Sequence, residues 1–494
     1  MRHVTDRVGL ALLALTGLTM VLLAGAWLSI RAEDAAPATG EAGMTRQDED
    51  GLAIEQPTAL AATMTSTLPI VVNNYAPPVP VFGVQMPAVT DAEGLVQVVG
   101  AGSRWVRILA FPWDQIEPVR TTPPTYNWAA VDAQSLINAR AAGMETIAIV
   151  HFTPSWAQSI PGVSCGPIQP SALPAFAQFL RAAVERYSGP PYNVRYWELW
   201  NEPDIDPALV RPDSGFGCWG DIDDPYYGGR TYAQMLKVTY PAIKAASPEV
   251  KVLLGGLLLD CNPNNPPPGK DCTPGRYLEG VLVNGGGPYL DAISFHAYTY
   301  YWQDRDAIEN PNWPGSVTAI PEKTAFLRQV LNAYGFPNKR LINSESALLC
   351  FDGTDSCWAA QARYMPRAYS EAMAVGLEAQ VHYKMIMGAA WWHTGLIWSD
   401  LKPKPAYEAY AAAAAFLSAT DYSGPATGYP AGVQGYAFRR QYGPASLDVV
   451  WSVDATPRTV TLAPGASAWD LYGNLIAALG DIQVDDSPVY VVGP

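Results

Sequence analysis

From Val79 onward, short runs of strand-forming residues alternate with stretches whose apolar positions recur at helical spacing. Val81-Phe82-Gly83-Val84-Gln85 predicts a first strand, and Thr90 or Asp91 caps a helix that stops at Gly102. Trp105-Val106-Arg107-Ile108-Leu109 predicts the second strand, followed by a long loop bearing Trp113, Asp114, Glu117 and Pro118. A helix from about Trp128 to Ala142 precedes a strand from Thr146 to His151, and a helix from about Ser171 to Tyr187 precedes one from Val194 to Trp200. That fourth strand cannot run past Pro203, which lacks an N–H and fixes φ. Further strands at Val250–Gly255, Ala292–His296, Arg340–Glu345 and Ala379–Met385 alternate with helices near 231–246, 274–283, 321–334, 358–374 and 405–417. Eight strand-then-helix units imply parallel pairing and predict an α/β fold, a (β/α)8 barrel with inserted loops. A doubly wound open sheet is the rival, but no GxGxxG turn follows the first strand.

After Ala419 the helical signals stop. Val433–Arg440, Ser446–Val453, Thr459–Leu462, Ala468–Tyr472 and Val489–Val492 are short alternating runs split by Gly, Pro, Asp and Asn, and they predict a small antiparallel β-sandwich. At the other end, Arg2 and Arg7 precede an uncharged apolar run from Val8 to Ile30. It is long enough to span a bilayer, which takes about 20 residues, while Ala24-Gly25-Ala26 could serve as a cleavage site. The expected division is a signal peptide or signal anchor at 1–30, a disordered linker at 31–77, the barrel at 78–418 and the sandwich at 419–494. The basic N-terminus stays inside and the bulk is exported, either secreted or held at the outer face of the membrane.

Composition narrows the chemistry. The chain of 494 residues is 49% hydrophobic and 16% charged, which suits a large core. A net charge of −15 leaves no basic field for nucleic acid. The six cysteines are even in number and suit an oxidising compartment. Cys261 and Cys272 flank one short loop and Cys350 and Cys357 another, which leaves Cys165 with Cys218; proximity along the chain is the only ground for these pairs. With five histidines and no Cys/His ligand cluster, no catalytic metal and no cofactor are expected. A monomer is expected, with a membrane contact through the N-terminal segment if that segment is not cleaved.

In a (β/α)8 barrel the active site lies at the C-terminal ends of the strands, so the strand list becomes a list of candidates. Strand two carries Arg107; strand three ends at His151, with Trp156 beyond. Strand four ends at Asn201 and Glu202, strand six at His296 and Tyr298, strand seven at Glu345, and strand eight near Tyr383, with Trp391 and Trp392 following. Two carboxylates, Glu202 and Glu345, therefore face one mouth, the provision that glycosidic cleavage with retention requires. Arg107 is read equally as the partner of an interior carboxylate such as Glu198 and as the group that keeps Glu345 ionised. Glu198 and Glu117 are read as structural. His296 is read first as a satisfied barrel histidine, and Tyr298 as a donor to Glu345. Trp391 and Trp392 are read equally as loop packing and as a platform for a sugar.

Trp105-Val106-Arg107-Ile108, Trp113-x-x-Ile116-Glu117-Pro118, Thr153-Pro154-Ser155-Trp156-Ala157, Trp197-Glu198-Leu199-Trp200-Asn201-Glu202-Pro203, Ser294-Phe295-His296-Ala297-Tyr298 and Asn343-Ser344-Glu345 together carry a family likeness. From about Val79 to Pro494 the chain resembles the clan A type of retaining (β/α)8-barrel glycoside hydrolases, with β-xylosidase-like, endoglucanase-like and exopolysaccharide-degrading members. The resemblance implies Glu202 as acid/base, Glu345 as nucleophile, Asn201 as ligand of the sugar 2-hydroxyl, and Tyr298 and Arg107 as attendants of the nucleophile. His151, Trp156, His296, Tyr383 and Trp392 complete the expected substrate-binding set. Many relatives carry a Trp at the end of strand eight where this chain has His382-Tyr383-Lys384. A non-catalytic, surface-tethered glycan-binding protein and a transglycosylase using the same site are the competing readings.

Overall fold

The computed structural model describes residues 80–386, 393–441 and 446–494. The expected targeting segment and linker lie outside these residues, as do Trp391 and Trp392. Among the described residues, no helix is long and apolar enough to cross a membrane.

Eight parallel strands form a closed barrel: β1 (Phe82–Gln85), β2 (Trp105–Pro112), β3 (Glu145–His151), β4 (Tyr196–Asn201), β5 (Lys251–Leu257), β6 (Ala292–Trp302), β8 (Arg340–Cys350) and β9 (Ala379–His382). The short β7 (Ala307–Glu309) folds back antiparallel onto the end of β6. The strand order β5-β4-β3-β2-β1-β9-β8-β6 closes through β5–β6 pairing. Helices cover the outside, several of them through one apolar stripe. In Leu173–Tyr187 the buried positions Phe176, Phe179, Leu180, Ala183, Val184 and Tyr187 recur at helical spacing. The expected helix over 128–142 is instead a 3₁₀ turn, Trp128–Ala130, followed by a helix over Ala133–Ala141. Asp132 makes the break by accepting a bond from Ser135 N at 3.1 Å, a cap that restarts the helix.

The barrel interior is layered. Trp105, Ile147, Tyr196, Leu253, Ala292, Ile342, Ala379 and Val381 plug its base as one apolar cluster. Burying each large side chain of this kind stabilises by about 1.5–3 kcal/mol. Two residues further along their strands, on the same face, come Arg107, Glu198, Ser294 and Ser344, all buried. A polar layer therefore rests on a dry floor.

The C-terminal unit has two antiparallel sheets. One runs β10-β11-β12-β17-β14-β15 and the other pairs β13 with β16. Here β10 is Thr420–Pro425, β11 Val433–Arg440, β12 Ser446–Ser452, β13 Arg458–Thr461, β14 Ser467–Trp469, β15 Leu475–Ala477, β16 Asp481–Val484 and β17 Val489–Gly493. The pattern-based reading omits β10, β15 and β16. β10 and β15 are the outermost strands of their sheet, and Thr420–Pro425 carries no apolar alternation to betray it. The unit packs on the barrel through Phe416 stacked on Tyr490 (centroids 4.2 Å apart), Arg367 over Trp451 (5.2 Å) and an ion pair between Arg363 and Asp486 (2.9 Å). The three disulfides are Cys165–Cys218, Cys261–Cys272 and Cys350–Cys357.

Candidate active site

Both carboxylates reach the barrel mouth through interruptions of the strand pleat. On β4, strict alternation would aim Trp200 inward with Tyr196 and Glu198. Trp200 instead adopts φ 77°, in the left-handed region, and packs edge-on against Phe176 of an outer helix. Asn201 turns inward onto Arg107, and Glu202, itself at φ 46°, follows it over the mouth. Left-handed backbone at non-glycine residues costs about 1–3 kcal/mol each and collects at functional sites. On β8 the interruption is a bulge. Phe295 pairs with Asn343 but His296 pairs with Glu345, so Ser344 is an extra residue. The bulge lets two successive residues face the interior, Ser344 onto Glu198 and Glu345 onto Arg107.

Arg107 organises the layer. Its Nε donates to Glu198 Oε2 (2.6 Å), Nη1 to Gln85 Oε1 (2.6 Å) and to Glu345 Oε1, and Nη2 to Asn201 Oδ1 (2.7 Å). One fully buried guanidinium thus ties β1, β2, β4 and β8. The two functions weighed for Arg107 coexist in one side chain. The other oxygen of Glu198 accepts from Gly256 N (2.9 Å), Ser294 Oγ (2.7 Å) and Ser344 Oγ (3.0 Å). That carboxylate is saturated and serves the frame.

Glu345 accepts from Tyr298 OH at 2.5 Å on its second oxygen. Glu202 has one oxygen 2.7 Å from His296 Nδ1, and its Oε2 is buried without a hydrogen-bond partner among the described residues. Glu202 and Glu345 approach within 4.8 Å through carboxylate oxygens. Burial pushes both carboxyls above the ordinary range, but their neighbours oppose this unequally. At Glu345, Arg107 and Tyr298 favour the charged form. At Glu202, the charges of Glu345 and Asp204 add to burial and push it well up. These surroundings favour the proton on Glu202 and the charge on Glu345.

His296 is not the satisfied histidine expected. Its Nε2 has no partner among the described residues and lies against Gly256, where any Cβ would collide with it. Burial and the charges of Arg107 and Lys323 push its pKa well below the usual value, which favours the neutral ring. A neutral imidazole can accept a hydrogen bond from protonated Glu202 or donate one to its carboxylate, depending on tautomer, and so suits both states of the acid.

Tyr383 joins the site: its ring lies 6.2 Å from that of Tyr298, edge to face. Burial, then the charge of Glu345, pushes its hydroxyl up. His151 sits at the end of β3 against Phe152 and Trp200, and burial with the Arg107 charge pushes it down to about 3. Trp156 is tied to the loop after β2. Its Nε1 donates to Glu117 O (2.9 Å) and its ring packs on Trp113 and under Arg120, so its contacts brace the loop after β2 rather than the carboxylates. Trp392 lies outside the described residues.

Two residues escaped the sequence reading. Asp204 accepts from Leu258 N and Leu259 N, both at 2.9 Å, and burial pushes it up to about 6. Lys323 donates to His296 O (2.7 Å) and Leu258 O (2.9 Å), and burial pushes it down to about 8. Its signal was available: Ile320, Lys323, Thr324 and Leu327 form the buried stripe of one helix, and a lysine there needs a partner.

Among the described residues, Glu202, His296 and Glu345 are the one trio of suitable side chains close enough to hold a metal ion. The donor set fits a dication poorly. Both oxygens of Glu345 are occupied by Arg107 and Tyr298, and a guanidinium in contact with a ligand repels a second cation.

No protein-family model matches the chain, and no curated protein matches its sequence. Solved structures do resemble it. A family 39 glycoside hydrolase from Bacteroides cellulosilyticus superposes with a TM-score of 0.63 at 19% identity, covering 84% of this chain and 81% of that one. A family 30 endoxylanase from Clostridium papyrosolvens gives 0.57 at 13% identity, over 84% and 97%. A family 39 β-xylosidase from Caulobacter crescentus gives 0.54 at 15% identity, over 85% and 98%. At such identities the likeness establishes the fold. The chain has the (β/α)8 barrel of these clan A glycoside hydrolases.

Proposed function

We propose that the protein is a retaining glycoside hydrolase that cleaves O-glycosidic bonds of an oligo- or polysaccharide by double displacement. One observation carries this reading: two buried carboxyls with oxygens within 4.8 Å of each other at one barrel mouth, one held by Arg107 and Tyr298 and the other beside His296. Retaining enzymes hold their carboxyls about 5–5.5 Å apart, whereas inverting ones leave room for a water between them. Glu345, aligned by Arg107 and Tyr298, attacks the anomeric carbon while Glu202 protonates the leaving oxygen. Glu345 loses its charge on becoming an ester. One of the groups holding the proton on Glu202 is thereby removed, and Glu202 deprotonates the incoming water. Asn201, held by Arg107, is placed to meet a hydroxyl of the sugar. Transfer to a sugar acceptor would use the same groups.

The three disulfides support an extracytoplasmic site of action. The xylanase and xylosidase relatives of this fold put xylosides and xylan first in a panel of aryl glycosides and polysaccharides. A protein that only bound glycans would gain nothing from burying two acids side by side. Glu202→Ala and Glu345→Ala should each lower kcat by about a thousandfold or more. Azide should restore turnover in Glu345→Ala and yield a glycosyl azide of inverted configuration. Undiminished hydrolysis in either variant would overturn the assignment.

A further inference from the structure

β6 and β8 run past the catalytic layer. Tyr298 pairs with Ala347, Tyr300 with Leu349 and Tyr301 with Cys350, so the two strands form one wall above the mouth. Because strand side chains alternate, His296, Tyr298, Tyr300 and Trp302 line one face of β6. Tyr300 and Tyr383 pack with Tyr298, Ala347 and Leu349, which confirms that this face continues from the catalytic tyrosine upward. At about 3.3 Å per residue, Trp302 stands roughly 13 Å beyond Tyr298.

The top of this wall is aromatic. Phe351, 42% exposed, lies parallel to Tyr300 at 6.2 Å between centroids and 5.5 Å from Trp302. Arg305 caps Trp302 from 5.3 Å. The loop bearing Phe351 is closed by Cys350–Cys357, and Trp302 is held by its pairing with Ala307 of β7. At the tip of the wall, where both faces of the strand are reached, lies a cavity of about 440 Å³ lined by Tyr301 from the outer face and by Trp302, Gln303, Asp304, Phe351 and Asp352. Aromatic faces with a rim of carboxylates and an amide suit a neutral ligand that has C–H faces and hydroxyl groups. An anion would be repelled by the exposed Asp304 and Asp352, and a wholly apolar ligand would leave their acceptor oxygens and the amide of Gln303 unused.

We propose that this cavity is a distal subsite for an uncharged sugar unit of a chain bound across Glu202 and Glu345, several units from the scissile bond. The proposal rests on the hydrolase reading and adds that the enzyme acts on chains rather than trimming single residues. Trp302 and Phe351 touch no reacting atom; they act by holding the chain.

The test uses Trp302→Ala and Phe351→Ala in the full chain, each checked for an unchanged melting temperature. Hydrolysis of the polysaccharide that the wild type cleaves best is compared with that of the aryl glycoside of the same sugar. Both variants should lose about tenfold in kcat/KM on the polymer, chiefly through KM, while aryl glycoside turnover stays within about twofold. Equal losses on both substrates, or none on the polymer, would overturn the subsite and leave the catalytic reading intact. Should the wild type cleave nothing in the panel, the hydrolase reading fails. Retardation of the full chain in gels containing xylan, mannan or β-glucan then reads the subsite directly. Retardation lost in both variants supports it; retardation unchanged by them, or absent altogether, overturns it.

Discussion

Tyr298 offers the sharpest probe of how the carboxyl pair divides its labour. Its hydroxyl supports Glu345 as an anion. Hydrogen bonds to charged groups contribute about 1.5–3 kcal/mol, so Tyr298→Phe should lower kcat by about ten- to a hundredfold. The acid limb of the pH–rate profile should move to higher pH, because Glu345 loses a group that favours its ionised form. The alkaline limb should stay, since it follows Glu202, whose pKa lies well above the ordinary carboxylate range. A profile that merely falls in height would assign Tyr298 to packing. At this scale the types of the central residues were legible in sequence: Arg107, Glu202, Tyr298 and Glu345 all come together. Their immediate surroundings were not. Gly256 admits His296 because it has no side chain, and Lys323 reaches the His296 carbonyl from the helix Ile320–Ala333, which follows β7. Neither depends on a local motif.

Among the elements, strand positions followed from apolar runs: all eight barrel strands begin within about two residues of where those runs predicted, although β6 and β8 run on beyond their expected ends to Trp302 and Cys350. Register did not follow. Plain alternation puts Ser344 inside and Glu345 outside, and only the bulge in β8 brings both in. A bulge is a relation between two strands, and one strand's pattern does not encode it. The helix Asp355–Ala374 carries a separate test. Its Glu371 is buried, accepts a bond from Thr318, and is pushed by burial up to about 8. Its folded-state pKa exceeds the unfolded value of 4.5. The stability it contributes is therefore complete below that value and lost as pH rises through about 8. Glu371→Gln should match the wild type in acid and exceed it increasingly towards pH 8, by about 1.4 kcal/mol for each step of one in pH and a few kcal/mol at most. Denaturant melts at several pH values would show it; a difference constant with pH would refute it.

On the scale of the whole molecule, barrel and sandwich share a core. Phe438, Leu447, Trp451 and Tyr490 belong to the same buried cluster as the barrel's helices. The full chain should therefore unfold in one calorimetric transition, and residues 80–418 alone should melt at a lower temperature than the full chain. Two separate transitions would mean that the contact is incidental. The plug of Trp105, Tyr196 and their neighbours has a further consequence for traffic. A vessel sealed at its base has a single door, so no polymer can be threaded through it as through a ring. On the function proposed above, a long chain would have to lie across the rim and dip one unit to the acids, and both halves would leave by the side on which they arrived. The wall rising along β6 and β8 would be one bank of that channel.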